Sequence, residues 1–104
     1  MTMYVLAYRA PKGYHRSSTE TSPAWFDWFD ELGERVVDLG RPVEAGGTLG
    51  TVDTETTELG GYSVISAVDL DEALRLAAGC PFLSRGGGIE VGELAEIPAR
   101  VSAG

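Results

Sequence analysis

The sequence has one cysteine, one histidine, and 8 lysines and arginines against 16 aspartates and glutamates. Each shortage excludes something. A lone cysteine, Cys80, cannot close an internal disulfide, which fits a reducing, cytoplasmic setting. One histidine and scattered carboxylates argue against a specific metal site, and no nucleotide fingerprint is present, so no metal or cofactor is expected. The acidic net charge of −8 repels phosphate backbones and anionic lipid, so neither nucleic acid nor membrane is an expected partner. No run approaches the roughly 20 apolar residues of a membrane span. The start, MTMYVLAYRAPKG, lacks the basic region and long apolar run of a signal peptide.

What remains is ordinary globular material. Hydrophobic residues make up 43% and charged residues 23%, close to average usage, so wholesale disorder is not expected. We expect a single domain over residues 1–104, with an ordered core of about 3–97 and a frayed tail, PARVSAG.

The pattern predicts a strand over Met3 to Arg9. Both of its alternation sets are apolar, Met3, Val5 and Ala7 on one face and Tyr4, Leu6 and Tyr8 on the other, so both faces are expected to be buried. Ser22 and Pro23 suit a helix cap and first helical position. From there Trp25, Phe29, Leu32 and Val36 follow helical spacing, with Asp27, Glu31, Glu34 and Asp38 towards the other side. Gly40 and Pro42 are the expected stop. Val43 to Val52 reads as a glycine-interrupted strand, and Gly61 to Val68 as a further strand. Asp69 then caps a second helix, with Glu72 completing a capping-box pattern. Leu70, Ala73, Leu74, Ala77 and Ala78 form its apolar side, and Gly79 and Pro81 end it. Gly88 to Ile97 is the last expected strand.

The order β-α-β-β-α-β predicts an α+β, ferredoxin-like antiparallel sheet with both helices on one face. Tyr4, Leu6 and Tyr8, or their counterparts, would then lie on an uncovered face. An exposed apolar patch of that size marks an interface. The expected partner is a second copy, the two open faces enclosing a shared cavity.

Cys80 follows a helix C-terminus, where the dipole disfavours a thiolate, so it reads as a buried hydrophobe. The glycines after Arg85 run from a helix end into a strand, the wrong polarity for a phosphate cradle, and read as turn chemistry. The better candidate is the polar loop from Arg9 to Arg16. Arg9, Lys12 and Arg16 supply three of the eight basic residues, and His15 titrates near neutral pH. With Tyr8 beside them, they make a candidate site for a small anionic or phenolic organic ligand, with His15 in proton transfer and Asp27 or Asp30 as its acidic partner. Of the aromatic residues in the first helix, most are expected in the core, with Trp28 reaching towards the cavity or a dimer contact.

The stretch LGGYSVISAVDLDEALRLAAGCPFLSRGGGIEVGEL resembles the YCII-related family, whose members carry a similar GGY strand, DLDEA helix, GCP corner and GG-IEV strand. The YVLAYR strand and the WF helix are similar to the family's front half. The Asp-Gly-Pro-Phe segment of many relatives is missing, its place taken by TVDTETTELGG. The resemblance implies a dimeric α/β barrel. In some members it also implies a catalytic His–Asp pair, for which His15 with Asp27 or Asp30 are the residues at hand. Two functional readings follow. One is cofactor-free acid–base chemistry, an elimination or isomerisation. The other is a non-catalytic ligand-binding or regulatory protein-interaction module.

Overall fold

The computed structural model describes residues 1–14 and 23–97. Their order is β1 (Thr2–Pro11), α1 (Pro23–Leu32), a 3-10 turn (Gly33–Arg35), β2 (Val36–Pro42), β3 (Thr57–Ala67), α2 (Leu70–Ala77), a second 3-10 turn (Pro81–Arg85) and β4 (Gly88–Glu93). The strands form one antiparallel sheet in the order β2-β3-β1-β4. This is the expected α+β, ferredoxin-like arrangement. Ser22 and the tail from Pro98 lie outside the described residues.

The period-2 pattern of β1 decides which face is which. Tyr4, Leu6, Tyr8 and Ala10 are buried, whereas Met3, Val5, Ala7 and Arg9 are not. Trp28 and Leu32 of α1, Ile65 and Ala67 of β3, and Ala73 and Ala77 of α2 close over the buried set. The helices therefore cover the Tyr4, Leu6 and Tyr8 face, and the uncovered face carries Met3, Val5 and Ala7. This corrects the expectation. The bulky set goes beneath the helices because small residues of α2 leave room for its rings, and because Tyr8 finds a buried hydroxyl partner in Ser63 at 2.7 Å.

The largest departure lies between α1 and β3. Instead of running to Gly40, α1 ends at Leu32, and Val36–Pro42 is β2. Gly33 takes a φ of +53°, which breaks the helical turn. The β-branched pair Val36 and Val37 suits a strand, and Val36 packs against the core from opposite Ile65. Helical spacing reports only that Val36 is apolar, which holds in either element. Residues 43–52, expected as a strand, belong to the long connection between β2 and β3. The position in the sheet is already filled, and Gly46, Gly47 and Gly50 have no side chains to pack there.

The start of α2 follows the expected cap with one displacement. The Asp69 carboxylate accepts from the Glu72 N–H at 2.8 Å. Glu72 returns its own carboxylate to the N–H of Val68, also at 2.8 Å, one residue further out than in a standard capping box. At the other end of the helix, the glycine run is a corner. A Cβ on Gly87 would stand 2.4 Å from the Arg9 carbonyl oxygen, so only glycine lets the chain pass into β4. β4 is shorter than expected, although Leu94 N–H still donates to Met3 O at 2.9 Å.

Candidate functional site

The end of β1 and the start of α1 bring four aromatic rings together. Trp25 stands edge-on to Tyr8 and to Phe82, each with ring centroids 5.0 Å apart, and Phe29 lies 5.8 Å from Trp25. Trp25 and Phe29 are one helical turn apart, so they share the α1 flank next to the one that buries Trp28 and Leu32. These rings line one side of a cleft of about 1160 Å³, bounded elsewhere by the end of β2 and the connection 43–56. That volume lies just above the usual range of small-molecule sites, about 300–1,000 Å³, and the lining mixes aromatic and polar residues.

Two cations border the same cleft. Arg9 donates from Nη2 to Thr57 O at 3.0 Å and Asp53 O at 3.3 Å, and from Nε to Thr57 Oγ1 at 3.3 Å. Lys12 Nζ donates to Thr54 O at 2.9 Å. Both side chains therefore staple the connection before β3 back onto β1. Among the described residues their hydrogen-bond partners are carbonyl and hydroxyl oxygens, which orient a cation without neutralising it. Asp30, Glu44 and Glu58 contribute opposite charge to the lining, and Arg41 adds a third cation.

Tyr8 is the polar group at the base of the aromatic wall. Its hydroxyl donates to Ser63 Oγ, and Ser63 donates onward to Leu39 O at 2.6 Å. Burial pushes the phenol well above its usual range, with the Ser63 hydrogen bond opposing the shift. The Tyr8 phenol is therefore neutral at physiological pH. Cys80 is buried, and burial likewise pushes its thiol up, against two backbone hydrogen bonds from Phe82 and Leu83. It lies in the core cluster, as expected of a small hydrophobe.

Residues 1–97 match the family model of the YCII-related domain. The chain belongs to the YCII-related family. Neither the curated proteins nor the solved structures contain a match to it.

Within this YCII-related chain, the cleft gathers part of the expected site. Tyr8, Arg9, Lys12 and Asp30 all line it. Asp27 is exposed on α1 and is not among the lining residues. His15 and Arg16 lie outside the described residues. Trp28, expected towards a cavity or dimer contact, is instead core, and its Nε1–H donates to Leu76 O at 3.1 Å. Sequence reasoning missed Trp25, Phe29 and Phe82 as cleft residues. The spacing of Trp25 and Phe29 beside a basic loop was a usable signal. Arg41 offered none, because its position depends on β2, which helical periodicity concealed. Among the described residues, no cluster of three or more histidine, cysteine, aspartate or glutamate side chains is placed to hold a metal. No helix among them is long and apolar enough to cross a membrane.

Proposed function

We propose that this YCII-related protein is a single-domain homodimer that binds a small organic anion, carboxylate or phenolic, in the cleft. The observation that carries the reading is the shared cleft itself: half-buried rings at Trp25 and Phe29, and two cations whose partners among the described residues are neutral oxygens. A flat apolar body would lie against the rings, and an anionic end near Lys12 and Arg9, with Arg16 as a further cation. Tyr8 would position the ligand as a neutral group. The lone buried thiol of Cys80 supports a cytoplasmic setting.

The same reading includes cofactor-free proton transfer, an elimination or isomerisation, with His15 as the proton carrier. Asp30 is the better acidic partner for it because Asp30 lines the cleft and Asp27 does not. A non-catalytic interaction module is the second reading. It is supported by exposed Leu70 and Leu74, one turn apart on α2, with exposed Val68 beside them.

A thermal-shift and tryptophan-fluorescence screen of small carboxylates, phosphates and phenols tests the choice. A ligand at about 100 times its Kd adds roughly 2.7 kcal/mol, visible as a clear rise in Tm. The expected hit perturbs tryptophan emission and is weakened in Lys12→Ala and Trp25→Ala. Turnover lost in His15→Ala and Asp30→Asn, with binding kept, supports catalysis. A panel that moves neither Tm nor emission overturns the cleft reading in favour of the interaction module.

A further inference from the structure

The cleft is balanced in charge although the chain carries a net −8: Arg9, Lys12 and Arg41 line it together with Asp30, Glu44 and Glu58. One opposite pair stands close together and does not join. Ala10 of β1 is paired with Glu58 of β3, and Lys12 follows two residues after Ala10, its N–H still donating to Thr56 O at 2.9 Å. Lys12 and Glu58 are therefore diagonal neighbours across the two strands, about 7–8 Å apart along the backbone. Both side chains are long enough to meet over that distance. Lys12 Nζ instead donates to Thr54 O at 2.9 Å. The half-buried Glu58 carboxylate has no hydrogen bond or ion pair among the described residues. A carboxylate drawn partly out of water without a donor costs free energy that a partner offsets. The aromatic wall reaches the same place. Gly60, two residues further along β3, leaves its side-chain space to the Phe82 ring, whose Cε2 would stand 3.2 Å from a Cβ there. Phe82 in turn meets Trp25 edge-on.

We propose that the ligand of the cleft is an aromatic zwitterion, with a carboxylate for Lys12 and Arg9 and an ammonium for Glu58. This rests on the anion-binding reading above and adds the second charge. The carboxylate and ammonium of an α-amino acid are joined through a single carbon. Such a group fits the gap that Lys12 and Glu58 leave between them, and it supplies each with the opposite charge. An ammonium there gains a charge-assisted hydrogen bond from the carboxylate and the attraction of the neighbouring rings. A simple carboxylate would meet Lys12 and Arg9 while lying beside Glu58, and that like charge weakens it. Phosphates and dicarboxylates are opposed more strongly for the same reason. The ring of the ligand lies against Trp25 and Phe29, which are half-buried and line the cleft.

Calorimetric titration with phenylalanine, 3-phenylpropionate and phenethylamine tests this, since the three share a ring and carry both charges, the anion only and the cation only. Phenylalanine should bind at least about tenfold more tightly than either of the others. Glu58→Gln should remove its advantage over 3-phenylpropionate, whereas Lys12→Ala should weaken both. Circular dichroism establishes that each variant is folded. The wild-type series needs no variant, so if Glu58→Gln fails to fold the ligand class is still decided. Glu58→Asp then assigns the subsite, because a shorter carboxylate should weaken phenylalanine and spare 3-phenylpropionate. Binding of 3-phenylpropionate as tight as that of phenylalanine overturns the ammonium subsite and leaves the anion reading standing. Phenethylamine binding as tightly as phenylalanine overturns the anion reading and the zwitterion together, as does silence from all three. An advantage for phenylalanine that survives loss of the Glu58 charge overturns the assignment to Glu58.

Discussion

Arg35 grips both oxygens of Glu72, Nη1 to Oε1 at 2.6 Å and Nη2 to Oε2 at 3.1 Å. Since Glu72 also accepts from the Val68 N–H, one carboxylate ties the turn after α1 to the cap of α2. The two helices are thus held at the ends remote from the cleft. This arrangement depends on Glu72 being ionised.

Hydrogen bonding from Arg35, aided by the Val68 N–H, lowers the Glu72 pKa to about 2 from an ordinary 4.5. The folded state therefore binds this proton less readily than the unfolded chain does. Its contribution is present above about pH 4.5 and is lost as pH falls through about 2. We expect the Tm advantage of wild type over Glu72→Gln to be full at neutral pH and to shrink across that window. An advantage independent of pH would show that the pair acts through shape alone.

Trp28, in the middle of α1, joins it to the last turn of α2, donating to Leu76 O while buried in the core. Trp28→Phe removes that donor and part of the ring's volume. The expected cost is about 1–3 kcal/mol, read as a lower urea midpoint with an unchanged m-value. Trp25→Phe, at a half-buried position with no such bond among the described residues, should cost clearly less. Equal losses would contradict the assignment of Trp28 to the core and Trp25 to the cleft.

The Tyr8–Ser63–Leu39 relay predicts an asymmetry. Ser63→Ala strands the buried Tyr8 donor and costs about 1–3 kcal/mol. Tyr8→Phe leaves Ser63 still donating to Leu39 O, so the cost should be lower, about 0.5–1.5 kcal/mol. Paired urea melts check the order. The reverse order would mean that water replaces Ser63 as the acceptor.

Cys80 should resist labelling. With the thiol buried and its pKa raised, an aromatic disulfide reagent at mildly alkaline pH should react slowly with native protein and rapidly in denaturant. Fast native labelling would contradict the reading of Cys80 as a buried hydrophobe.

Some of this was legible before the structure. Asp69 with Glu72 marks a helix start because the reason is local: a carboxylate three residues from an orphan N–H. The glycine corner before β4 was legible in the same way. The exchange of helix for strand at Val36 was not, because an apolar residue at helical spacing satisfies both elements until its neighbour in space is known. Nor was the identity of the buried face of β1, where both alternation sets are apolar and the pattern carries no preference. The candidate site divides along the same line. Arg9 and Lys12 stood out by charge in an acidic chain, whereas Phe82 and Arg41 join them only through the path of the chain in space.

By itself, then, the sequence determined the element order, the Asp69 cap of α2, the glycine corner before β4, and the α+β class, since these follow from backbone sterics and hydrogen bonds within a few residues. Only the tertiary structure decided where β2 lies, which side of β1 meets the helices, and which rings and cations share a cleft. Those outcomes depend on pairing between distant segments, and an apolar pattern states which residues leave water without naming the partner they leave it for.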